Sequence, residues 1–114
     1  MSIQTESFHA GEFLVSEGAG KISREAVIVA AGPALEAGQL LGLVTASGQL
    51  APYDPAASDG TEVALCILYA PLSESTDPRR ASAVIRLAEV SGMHLTGLDA
   101  DAELALAERF VIVR

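Results

Sequence analysis

Few residues in this chain are of types that make or break bonds, and their spacing keeps them apart. The histidines are His9 and His94, and Cys66 is the only cysteine. Neither histidine has a second histidine or a cysteine at metal-ligand spacing, so no metal is expected. General-base work needs positioned partners; His94, between Met93 and Leu95, reads as a structural residue. Cys66 lies between Leu65 and Ile67, apolar surroundings that raise a thiol's pKa and make it inert. Asp54 and Asp59-Gly60 resemble a calcium loop only in outline, because the alternating acids of that motif are missing. Gly18-Ala19-Gly20 is half of a dinucleotide-binding pattern without the strand–helix frame it needs. Both read as turns. Triad members come from anywhere in a chain, so spacing alone argues for no Ser–His–Asp set. No catalytic, cofactor-binding or metal-ligating residue is assigned, and the chain reads as a non-enzyme without a cofactor.

The composition narrows the partners further. At 114 residues the chain has the size of one domain. Half of the residues are hydrophobic but only 4% are aromatic, so Leu, Val, Ile and Ala must fill the core. Fifteen acids oppose seven bases, for a net charge of −8. A nucleic-acid binder needs a basic surface to displace counterions, and no nucleic-acid partner is expected. The pair Arg79-Arg80, close to Asp77, reads as a solvated loop corner. No apolar run approaches the roughly 18 residues of a membrane span, so no membrane partner is expected. A single cysteine allows no internal disulfide, and with no leader pattern at the N-terminus the protein is expected to be made in the cytoplasm.

The elements that would position any site alternate like a β protein. The stretch "MSIQTESFHAGEFLVSEGAG", residues 1–20, is polar and glycine-rich apart from Phe8 and the burst Phe13-Leu14-Val15. A freely solvated tail lacks such bulk, so this segment reads as an arm that docks, either on a partner or back on its own core, with Phe8, Phe13, Leu14 and Val15 as its anchors. Residues 21–114 then form the domain. Strands are expected at about 25–30, 39–45, 49–53, 62–69, 82–90 and 110–113 from alternation and turn residues. Ser47-Gly48 supplies a hairpin turn, and apolar residues on both faces of 39–45 predict a strand covered on two sides. The stretch "GLDADAELALAERF" reads as a short helix, with Asp99, Asp101 and Glu103 in its first turn and Arg109 in its last, as the helix dipole favours. The fold class is α+β, mostly β: a small single domain with one short C-terminal helix and an extended N-terminal arm.

Two resemblances follow from the central stretch. "EAGQLLGLV" is similar to the hairpin of biotinyl and lipoyl carrier domains. Those carriers need an exposed lysine at the turn; here the only lysine is Lys21 and the turn after Val44 holds none. That small cofactor carrier remains the alternative reading. The longer run "EAGQLLGLVTASGQLAPYDPAASDGTEVALCILYAPL" resembles the head decoration proteins of tailed bacteriophages, the lambda-type D family. The upstream "FHAGEFLVSEGAGKISREAVIV" and the ending, a short helix followed by Val111-Ile112-Val113-Arg114, resemble the family too. A Trp-Pro found before the helix in many members is replaced here by "HLTGLDADAEL".

The resemblance implies a small β-rich α+β domain that binds the major capsid protein and itself. Members sit as homotrimers on the outer surface of the expanded capsid, at three-fold and quasi-three-fold sites, and lock the shell against packaged DNA. It implies a virion protein assembled in the host cytoplasm, whose N-terminal segment, here residues 1–20, contacts the capsid. Such a clamp needs area and valency in place of reactive groups.

Overall fold

The structure, a computed structural model, describes residues 10–18 and 22–114. Within them the chain forms β1 (Leu14–Glu17), β2 (Arg24–Val29), β3 (Leu40–Leu43), β4 (Leu50–Pro52), β5 (Cys66–Leu68), β6 (Arg79–Val84), β7 (Ala88–Val90), α1 (Ala100–Ala107) and β8 (Val111–Val113). The domain is mostly β with one helix near its C-terminus. β2, β4, β3, β5 and β6 close, in that order, into a barrel. Its seam is the long antiparallel pairing of β2 with β6, from Arg24↔Val84 to Val29↔Arg79. β1, β7 and β8 form a separate three-stranded sheet, with β1 antiparallel and β8 parallel to β7.

Two-residue periodicity explains why the barrel strands are so apolar. On β3, Leu40 joins one buried cluster and Leu41 the other. On β5, Ile67 faces the first cluster while Cys66 and Leu68 face the second, and Val84 and Ala83 divide in the same way on β6. The second cluster, with Val29 and Leu50, comes from all five barrel strands. The first adds Phe13, Val90, Leu106 and Val111, and so fastens the three-stranded sheet and α1 onto the barrel. The two-sided burial expected for residues 39–45 therefore holds at Leu40 and Leu41, but Leu43 is exposed.

Two turns depend on glycine. Gly48 takes φ +74 in the β3–β4 hairpin, whose register pairs Leu43 with Leu50 and Leu41 with Pro52. Gly38 takes φ +93, and a Cβ there would stand 2.2 Å from the His94 carbonyl oxygen. This close approach lets Thr96 and Leu68 bond to the Gly38 backbone, at 2.9 Å each.

Several expected elements change. The strand expected at 62–69 is reduced to 66–68, because Gly60 to Val63 turn, with the Val63 amide bonded back to Gly60. The strand expected at 82–90 is two strands in different sheets, broken where Leu87 takes φ +53. The helix runs over Ala100–Ala107, with Asp99 as its N-cap and Arg109 beyond its C-cap, Glu108. Arg79 is no loop corner: it opens β6, and its guanidinium donates to the carbonyls of Ala30, Pro33 and Ser73 at 2.7–2.9 Å. β1, inside the segment read as an arm, went unassigned because four residues bounded by glycines carry little periodic signal.

Candidate functional site

The residues screened for chemistry stand apart in the fold. Cys66 is fully buried, and loss of solvent pushes its thiol pKa up to about 12, which leaves it protonated and inert at neutral pH. His94 Nδ1 lies 3.1 Å from the Ser91 hydroxyl, at the turn after β7. Asp59 accepts from the Thr61 hydroxyl at 2.6 Å and the Thr61 amide at 3.0 Å, bonds that hold its carboxyl below its usual range. Asp54 accepts from the Ala56 amide. Both acids are turn-formers. Among the described residues no group of three His, Cys, Asp or Glu side chains comes together as a metal site. The β3–β4 turn, residues 45–48, presents Thr, Ala, Ser and Gly, with no amine for a carried cofactor.

The four arm candidates separate. Phe8 lies outside the described residues. Phe13 is 1% exposed and belongs to the core cluster between barrel and sheet. Leu14 packs against that cluster, whereas Val15, in a bulge of β1, is 57% exposed. Residues 11–18 are held to the body throughout. The Gly11 amide donates to the Tyr69 carbonyl at 2.8 Å, the Ser91 amide to Phe13 at 2.7 Å, and the Gly18 amide to Leu87 at 3.0 Å. Glu17 takes two bonds from Arg24, at 3.0 and 2.5 Å, which lower its carboxyl pKa. The same guanidinium lies 4.1 Å above the Tyr69 ring, a cation–π contact. A Cβ at Gly11 would stand 2.9 Å from that ring on its way past.

Sequence reasoning missed a second surface. Leu87 and Phe110 both hold left-handed backbone, at φ +53 and +60, a conformation that costs a bulky residue on the order of 1–3 kcal/mol. Both side chains are exposed, as is Ile112 two residues along β8. No periodicity announces such residues; the only signal is bulk at the ends of elements, where glycine would be at ease.

Comparison with known families places the chain as a whole. Residues 3–111 match the family described as bacteriophage lambda head decoration protein D. The chain belongs to that family. No curated protein matches it. A head decoration protein is a structural component of a phage head, so the partner is a capsid protein and the place of action the virion. The family is not an enzyme class; Cys66 is buried, and Asp54 and Asp59 are engaged in turns. The geometry then has to supply contact area. Among the described residues, Val15, Leu87, Phe110 and Ile112 expose apolar side chains on or beside the β1–β7–β8 sheet, and Ile22, Val63, Met93 and Leu104 do so elsewhere.

Proposed function

We propose that this decoration protein cements the expanded capsid from outside. It binds the major capsid protein and itself as a homotrimer at three-fold and quasi-three-fold sites, and it resists the pressure of packaged DNA. Assembly takes place in the host cytoplasm. The observation that supports this reading is a family match running through almost the whole chain, from residue 3 to residue 111. Residues 1–20 are the capsid-binding arm, rooted through residues 11–18 in the decoration domain of residues 21–114. Phe8, Leu14 and Val15 make the contact, and Phe13 acts from beneath by rooting the arm in the core.

The energetics suit that role. A standard protein interface buries about 1,600 Å², and a subunit that touches the shell and two neighbours shares its load among several such contacts. A chain of net charge −8 does not adhere to nucleic acid released nearby. Sedimentation with expanded, undecorated shells tests the reading. Purified protein should co-sediment up to a saturating ratio, and protein that stays wholly in the supernatant at every concentration overturns it.

A further inference from the structure

The outer face of the three-stranded sheet carries apolar side chains that packing among the described residues leaves uncovered. Leu87 and Phe110 lie side by side at its head, since the Leu87 amide donates to the Arg109 carbonyl at 3.2 Å and the Ala88 amide to Phe110 at 3.0 Å. Ile112 follows Phe110 on the outward side of β8, opposite Glu89, and Val15 is exposed in the bulge of β1 at the far edge. Between Ile112 and Val15 runs the polar line of Ser16, Glu89 and Arg114, so the face is an apolar group at Leu87, Phe110 and Ile112 with Val15 beyond a polar strip; grouped exposed apolar residues mark contact surfaces more than scattered ones do.

The backbone adds an independent sign. Phe110 directly follows the last turns of α1, its amide bonded to the Ala107 carbonyl at 2.9 Å. That left-handed position after a helix usually belongs to glycine. Here a phenyl ring takes the strained conformation and stays 67% exposed, so burial among the described residues does not explain it. Leu87 repeats the pattern on the neighbouring strand. Strain retained without burial gain is characteristic of functional surfaces.

Charge and continuity identify the occupant. Arg86, Arg109 and Arg114 flank the patch in sequence, three of only seven bases in a chain of net charge −8. Arg86 pairs with Glu25 and Arg114 with Glu89, while Arg109 forms no ion pair among the described residues. With Arg86 and Arg114 already paired, Arg109 alone calls for a carboxylate at the edge of an otherwise apolar complementary surface. β1 leads directly from the arm into this sheet, so arm and patch reach one partner together, which multiplies two modest affinities.

The geometry points to Val15, Leu87, Phe110 and Ile112, edged by Arg109, as a second contact on the shell, seated against an apolar, carboxylate-edged surface of the capsid protein. This rests on the capsid-decoration reading. The test compares wild type with Phe110→Gly, Ile112→Thr, Arg109→Glu and a control, Val63→Thr, by melting temperature and by binding isotherms on expanded shells. Phe110→Gly relieves the left-handed backbone, so its melting temperature should hold or rise while shell affinity falls roughly 10- to 100-fold. Ile112→Thr, a strand-compatible change, keeps the fold and should weaken binding in the same direction. Arg109→Glu should weaken it most at low salt, and Val63→Thr should leave it unchanged. Wild-type affinity in both Phe110→Gly and Ile112→Thr overturns the inference. Unchanged affinity at isolated sites with loss of cooperative filling makes the patch a contact between copies, which also overturns it. Failure of the wild type itself to bind removes the decoration reading, and this inference falls with it.

Discussion

The Tyr53 hydroxyl lies 2.9 Å from both carboxylate oxygens of Asp99, and that carboxylate also accepts from the Ala102 amide at 2.8 Å as the N-cap of α1. One acid therefore starts the helix and ties it to the loop after β4. A hydrogen bond to a charged acceptor contributes about 1.5–3 kcal/mol, and an N-cap about 0.5–2 kcal/mol. Tyr53→Phe should cost an amount in the first range by chemical denaturation, and Asp99→Ala more, because it removes both roles. The double variant should be no less stable than Asp99→Ala. Strictly additive losses would show that the two residues do not act as a unit.

Alkaline titration follows from two groups. Burial pushes the Cys66 thiol up to about 12, and burial followed by the Asp99 bond takes the Tyr53 phenol to about 12 as well. Both are neutral acids whose folded values lie above their unfolded ones. Above the unfolded values the denatured chain gives up protons first, so folding stability is fully present below about pH 9 and declines from there through about pH 12. Denaturation midpoints measured across that window should fall. In Tyr53→Phe the decline that begins near pH 10 should be reduced. A flat profile from pH 9 to 12 contradicts the burial of both groups.

The arm has two parts with different thermodynamic roles. Phe13 is a core side chain, and truncating a buried phenylalanine costs about 3–5 kcal/mol. Phe13→Ala should therefore lower stability by an amount in that range. Deleting residues 1–9 should preserve the fold, because Phe13, β1 and the Glu17–Arg24 pair all remain. Deleting residues 1–17 removes all of these and should leave a protein that is unfolded or strongly destabilised at 37 °C. If the longer deletion melts with the full-length protein, residues 13–17 contribute nothing to the body.

Much of the barrel was legible because its short central strands, β3 and β5, lie in strongly apolar runs and end in distinctive turns. Leu40-Leu41 announced two-sided burial, and Ser47-Gly48 fixed the hairpin. The three-stranded sheet was less legible. β8 stood out as the apolar run Val111–Val113, but the mixed four residues of β1 gave no such signal, and β6 runs towards β7 with only the left-handed Leu87 to mark the change of sheet. Phe13 read as a docking residue because an aromatic in a polar segment must dock somewhere. The chain itself provides the dock, through contacts with Val90 and Val111 that are distant in sequence. The strained pair Leu87 and Phe110 could not be foreseen, since left-handed backbone follows from tertiary pairing and not from residue type.

The central claim is that this chain decorates the outside of an expanded phage shell at its symmetry axes. Electron microscopy of such shells, imaged with and without added protein and averaged with icosahedral symmetry, tests it most directly. The account predicts new density protruding from the outer surface at every three-fold and quasi-three-fold position, with three copies at each, and a higher temperature of shell rupture. Shells whose averaged density is the same with and without the protein would contradict it, as would density confined to the inner surface.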